Sequence, residues 1–283
     1  MSSKTNKQTD TSYWDERRGL FRTSKGGWII GEAVYNHGYS MMDDLVGHKT
    51  FFQVLVLNVT GRLAEKNLAD WLEASFICLS WPDPRIWCNK VGTLAGTMQC
   101  SPAAAVSVGI LAADSRMYAS GALVAGAEFI IEAVEKKKAG LSVEEIVNAE
   151  LEKKAKRSAA KPVIMGYARP IATGDERVIA MERVTKTLGF EIGEHLSLAY
   201  EIDSYLQNNY KESINMLGYC VAFMVDQAFC NKEITRLFST WVNSGVHACY
   251  AEARDRAPES FLPLRCDDIE YQGKIERPVP NIT

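Results

Sequence analysis

From residue 51 to residue 254 nearly every segment carries the three-and-four apolar spacing of a helix, and the strand–helix alternation that builds a parallel βαβ sheet is missing. That pattern excludes Rossmann and TIM-barrel architectures and predicts an all-α chain. Residues 51–59 are too densely apolar for a half-exposed helix, so a buried one is expected. Over 65–79, Leu68, Trp71, Leu72, Ser75, Phe76 and Leu79 recur at helical spacing, and the two segments together predict a helical hairpin. Ser101-Pro102 opens a helix over 103–113 rich in Ala and Gly, where neighbouring backbones can come close, and a second small-residue helix is expected over 120–137. Ser142 with Glu145 matches a capping box at the head of a strongly charged, exposed helix over 143–157. Further helices are expected over 178–188, 193–208, 213–229 and 232–254. Only 28–35, with Trp28, Ile29, Ile30 and Val34 around Gly31, reads as a strand, and Pro258, Pro263, Pro278 and Pro280 make the tail extended.

A chain of 283 residues, 47% of them hydrophobic, can bury a large core as one bilobed unit or two domains. Its net charge of −3 and lack of Lys/Arg tracts interleaved with aromatics give no nucleic-acid footprint. Residues 1–11 are polar and read as a loose tail rather than a signal or transit peptide. The longest apolar stretch, 102–113, is shorter than the ~20 residues of a membrane span, so a cytoplasmic protein without a membrane partner is expected. The seven cysteines are odd in number and show no C-x-x-C spacing, which predicts neither a zinc site nor a disulfide framework. No G-x-x-x-x-G-K-[ST] loop, H-E-x-x-H pair or G-x-S-x-G elbow is present. No metal is expected, and the site has to be argued from clustering.

The stretch Val163-Ile164-Met165-Gly166-Tyr167-Ala168-Arg169-Pro170-Ile171-Ala172-Thr173-Gly174-Asp175-Glu176-Arg177 resembles the glycine–histidine–arginine loop of the citrate synthase and citryl-CoA lyase superfamily, which includes the C-terminal module of ATP-citrate lyase. Val34-Tyr35-Asn36-His37-Gly38-Tyr39-Ser40 looks like the family's arginine-glycine-tyrosine turn, with His37 in the arginine's place. Thr60-Gly61-Arg62-Leu63-Ala64-Glu65 is similar to the family's turn between two helices. Ser115-Arg116-Met117-Tyr118-Ala119-Ser120-Gly121 is similar to the lyases' turn before a small-domain helix, and Cys266-Asp267-Asp268-Ile269-Glu270-Tyr271 to an arm that crosses to a partner subunit. The resemblance runs from about residue 34 to the C-terminus. It implies a two-lobed helical fold, with a large domain from 1–119 and 216–283 and a small domain from 120–215, a cleft between them, and a homodimer.

The departures bear on chemistry. The resemblance puts Asp83 on the family's aspartate but Pro84, Ala119 and Ala168 on its histidines, Asn215 or Met216 on its catalytic aspartate, and Val242 near its last-helix arginine. Forming an enolate from a thioester needs a carboxylate base and donors that stabilise the oxyanion, so ordinary citrate synthesis is not expected. Each such group is worth a factor of about 10²–10⁴. Arg169, in a turn before a proline, is a candidate ligand for a carboxylate or phosphate. Arg177 lies in a first helical turn, where its charge opposes the helix dipole; a bound anion or an ion pair with Asp175 or Glu176 would account for it. Tyr167 and Arg85 complete the candidate substrate contacts. Asp83, as base or turn residue, Tyr118, as phenolic donor or core residue, and the histidines His37 and His247 complete the candidate catalytic set. A coenzyme A thioester is the implied substrate. The leading expectation is an enzyme that forms or cleaves a C–C bond with a remodelled acid–base set; the alternatives are a non-catalytic paralogue and a citryl-CoA lyase.

Overall fold

The single expected strand is a hairpin in the computed structural model, because Gly31 takes φ +76 and turns the chain in the middle of the apolar run. Strand β1 (Gly26–Ile29) pairs antiparallel with β2 (Ala33–Asn36), Trp28 opposite Val34, and β2 pairs with β3 (Tyr39–Ser40). His37 and Gly38, at φ 49 and 86, supply the left-handed pair that a two-residue hairpin loop requires. A short helix α1 (Ser12–Asp15) precedes the sheet and a π-helical turn (Met41–Leu45) follows it. Helix α2 (Phe51–Thr60) starts at a capping box formed by Thr50 and Gln53 and stops at Gly61, φ +83. It buries Gln53, Val56 and Leu57, but Phe51 is 74% exposed, so its first turn faces water against the expectation of full burial. Helix α3 (Lys66–Leu79) buries Trp71, Leu72, Ser75 and Leu79, the positions its spacing marked. The structure describes residues 10–115, 118–156, 162–169, 173–260 and 265–279, in two compact units, Met1–Glu73 and Ala74–Thr283. Arg116 and Met117, residues 170–172 of the signature loop, 261–264 of the arm, most of the expected tail and Pro280 lie outside the described residues.

In the second unit, glycines decide how close the helices come. Helix α4 (Trp87–Thr97), which the periodicity did not reveal, lies with α5 (Pro102–Ala113) against α12 (Asn243–Arg254). A Cβ on Gly92 would stand 2.9 Å from the Val246 carbonyl oxygen, and one on Gly96 would stand 2.6 Å from that of Tyr250. Neither position admits a side chain. A second group joins α6 (Ala119–Lys138), α7 (Val143–Ala155), α8 (Glu176–Thr187), α9 (Glu194–Tyr210), α10 (Met216–Asp226) and α11 (Asn231–Leu237). Helix α7 carries the predicted Ser142–Glu145 capping box, yet it buries Ile146 and Val147 and is therefore not the fully exposed helix expected. The helix expected over 232–254 is two: the chain breaks after Leu237, and Phe238, Trp241 and Val242 are buried before α12 begins. Among the described residues no helix is long and apolar enough to cross a membrane.

Candidate functional site

The first half of the signature loop, 163–169, is fastened to the start of α10. Gly166, at φ +96, lies so close to Gly218 that a Cβ on Gly218 would overlap the Gly166 carbonyl oxygen. Asn215 locks the contact: its backbone N–H donates to the Gly166 carbonyl at 2.9 Å and its Nδ2 to the Ala168 carbonyl at 2.7 Å. Its Oδ1 accepts from the N–H groups of Leu217 and Gly218, so the same side chain caps α10. Of the two positions on which the resemblance puts an acid, Asn215 thus holds a neutral capping amide and Met216 an apolar side chain.

Asp175 makes the second fastening. Its carboxylate, closed to solvent, caps α8 through the Arg177 N–H, accepts from Arg177 Nε at 2.8 Å and Nη2 at 2.6 Å, and accepts from the Met216 N–H at 2.9 Å. Burial pushes its carboxyl up, but the Arg177 guanidinium outweighs that and holds it below the ordinary carboxylate value. Arg177 is committed to this pair, the ion-pair alternative weighed for it. Arg169 is placed differently. Its Nη1 and Nη2 meet the Glu176 carboxylate at 2.6 and 3.0 Å and its Nη1 also donates to the Gly174 carbonyl at 3.2 Å. Glu176 is 69% exposed in its side chain and is drawn down to about 2 by that hydrogen bond. Arg169 therefore has a partner that water already reaches and that a ligand carboxylate or phosphate can replace.

Around this pair lie two thiols that sequence reasoning did not single out, and Tyr118, which it did. The Cys78 thiol, at the end of α3, is pushed up by burial and partly drawn back by the Arg177 charge, and the Cys220 thiol in α10 is raised more strongly by full burial. Tyr118 shares a hydrogen bond with Cys88, and its ring centroid stands 6.1 Å from both Trp87 and Trp241. Burial first, then the neighbouring Cys88, pushes its phenol up to about 12. It stays protonated at neutral pH and can act only as a neutral donor or acceptor there.

The remaining sequence candidates do not converge on this point. Tyr167 is buried, its ring edge-on to Phe129 and its hydroxyl donating to the Ala199 carbonyl at 3.3 Å; it fills the core. Asp83 is gripped by Arg85 through Nε and Nη2, which holds its carboxyl below the ordinary range, while Asn89 Nδ2 bonds the Asp83 carbonyl at 2.9 Å. That carboxylate and its arginine satisfy each other in one turn. His37 serves the β2–β3 loop, and its buried Nε2 has no hydrogen-bond partner among the described residues. His247 is on the exposed side of α12 with its ring against Tyr250. Asp175 and Asn215 were legible only as short polar residues just ahead of helices, which is the capping signature.

No protein-family model and no curated protein matches the sequence. Solved structures do match. The citryl-CoA lyase of Hydrogenobacter thermophilus superimposes with a TM-score of 0.76 at 24% identity, over 92% of this chain and 98% of that one. ATP citrate lyase from Methanothrix soehngenii, in complex with citrate and coenzyme A, gives 0.75 at 18% identity over 95% of this chain, which spans 44% of that longer chain. Citrate synthase from Thermoplasma acidophilum, in a ternary complex with carboxymethyl coenzyme A and oxaloacetate, gives 0.63 at 16% identity over 82% of this chain and 59% of that one. The chain has the citrate synthase-like, mostly helical fold that the sequence resemblance implied.

Proposed function

We propose that this chain is a divergent member of the citrate synthase and citryl-CoA lyase superfamily that binds an acyl-CoA or related thioester and forms or cleaves a C–C bond with a remodelled acid–base set. The observation that carries this reading is Arg169: a guanidinium at the end of a segment fastened by Asn215, 3.8 Å from the buried Asp175 carboxylate and in close contact with the solvent-facing Glu176. A rigid loop keeps the guanidinium's fork in one orientation, so a ligand anion loses little freedom on docking beyond its own. Arg177 positions the loop through Asp175. Tyr118, kept neutral, is a candidate to donate a hydrogen bond to a thioester carbonyl. The large and small lobes implied by the resemblance belong to the same reading.

The test is to titrate coenzyme A, acetyl-CoA and citrate separately by calorimetry. Coenzyme A or acetyl-CoA should bind, and Arg169→Ala should weaken binding by about 2 kcal/mol, the size of a charge-assisted contact. Unchanged binding in that variant removes the site assignment. Citryl-CoA cleavage by the pure protein would select the lyase alternative.

One observation favours a second reading, a non-catalytic paralogue. The carboxylate expected to do chemistry, Asp83, is spent on Arg85, and the buried Asp175 is spent on Arg177. Binding without turnover of any acyl-CoA would select it. Either reading includes a homodimer, supported by the outer face of α5, where Val108 and the 70%-exposed Leu111 meet solvent, and by the apolar residues of the arm, Ile269, Tyr271, Ile275 and Val279, all exposed.

A further inference from the structure

Past its midpoint α8 borders a cavity of about 550 Å³, whose walls come from α8, the turn at 189–192, α9 and α10. No described residue of the signature loop lines it. The volume is in the range that takes a small organic molecule. Three rings face it, those of Phe190, Tyr200 and Tyr219. Phe190 is held edge-on by Phe223, centroids 5.1 Å apart, and the Tyr219 hydroxyl lies 2.7 Å from Thr185 Oγ1, both groups buried. The inner polar atoms therefore satisfy each other, and the rings are fixed in place.

The charges are not matched in the same way. Glu182 accepts the Tyr200 hydroxyl at 2.7 Å although Lys186 stands four residues on in the same helix, the spacing at which an ion pair normally forms. Among the described residues neither Glu182 nor Glu191, also in the lining, makes an ion pair. Two carboxylates against one ammonium leave the cavity net negative, and aromatic faces attract cations through their quadrupoles. A neutral apolar guest would strip water from Glu182 and return nothing, and an anion would be repelled.

We propose that this cavity binds a small alkylammonium cation, with its charged head against the rings of Phe190 and Tyr200 and Glu182 as the counter-charge. The site is separate from the Arg169 loop and does not depend on the function proposed for it.

The full-length protein is titrated by calorimetry with choline, with its uncharged isostere in which carbon replaces the ammonium nitrogen, and with acetate, at constant ionic strength. Choline should bind, the isostere about tenfold more weakly or worse, and acetate not at all. Glu182→Gln should weaken choline about tenfold, and Lys186→Ala, which removes a like charge from an exposed position, should tighten it about twofold. Lys186→Ala leaves the core untouched, so it remains informative if Glu182→Gln alters the fold by circular dichroism. Equal binding of choline and the isostere, absence of choline binding, or weaker binding in Lys186→Ala overturns the proposal.

Discussion

Gly218→Ala tests the contact that fixes the candidate site. The new methyl would overlap the Gly166 carbonyl oxygen and stand 3.0 Å from Gly166 Cα, and the neighbour is backbone, which cannot swing aside as a flexible side chain can. To make room the loop must retreat from α10, losing the Asn215 N–H bond to the Gly166 carbonyl and the Asn215 Nδ2 bond to the Ala168 carbonyl. Two such bonds contribute about 1 kcal/mol each, and residual overpacking costs about 1–3 kcal/mol. Alanine's better helix propensity returns about 1 kcal/mol, which leaves a net loss of about 2–4 kcal/mol. Urea unfolding followed by circular dichroism measures it, with Gly189→Ala as the reference. At Gly189 nothing lies within 4 Å of the added methyl and only φ +78 opposes it, a strain of about 1 kcal/mol. A Gly218→Ala protein no less stable than Gly189→Ala would mean that the loop is not clamped, and the rigid presentation of Arg169 would fall with it.

The Asp175 pair should give a pH signature. A carboxyl whose folded-state value is depressed stabilises fully above its ordinary value of 3.8 and loses that contribution as pH falls through the folded value. Asp175→Asn should therefore flatten the acid limb of the stability profile below about pH 4, and near neutrality cost about 2–4 kcal/mol by leaving Arg177 unpaired, a figure discounted because Arg177 is 24% exposed. An unchanged acid limb by thermal melts across pH would contradict this. Glu176→Gln, by contrast, removes a solvent-facing carboxylate and should change stability by about 1 kcal/mol or less while tightening coenzyme A or carboxylate binding at Arg169; weaker binding by calorimetry would contradict the exchange of partners. Ser142→Ala removes the hydroxyl half of the α7 capping box and should cost about 1 kcal/mol by urea unfolding. Truncation after Ala257 should lower the melting temperature and the dimer fraction by light scattering together; a truncated dimer with an unchanged melting temperature would make the arm a loose tail.

Most helices were legible because their buried faces are apolar. Trp71, Leu72 and Leu79 in α3 announce themselves by size and spacing. Helix α4 escaped because its buried positions are Cys88, Asn89, Gly92, Gly96 and Thr97, small or polar residues with no hydrophobic stripe. Its one signal was the Gly92-x-x-x-Gly96 spacing, which marks close helix contact but says nothing of the partner, here Val246 and Tyr250 on a helix about 150 residues later. The hairpin at 26–36 could have been read from Gly31 in the middle of an apolar run. The break at 238–242 carries no glycine or proline. Phe238, Trp241 and Val242 keep the three-and-four spacing of the buried face of α12, so the apolar pattern runs straight through the break and gives no sign of it.

The site was less legible than the fold, for a reason its charges make plain. A sequence shows that Arg169, Asp175, Glu176 and Arg177 are near one another but not which acid takes which base. With Asp175 shut from solvent, the pairing is decided by desolvation: the buried carboxylate must have the arginine that reaches it with two nitrogens and the backbone N–H beside it, and that is Arg177. Arg169 stands 3.8 Å from the same buried carboxylate and takes its close contacts from Glu176, whose carboxylate water already reaches. Two arginines eight positions apart are thus placed differently, one gripping a buried aspartate with two nitrogens and one, in the function proposed, exchanging an exposed carboxylate for a ligand.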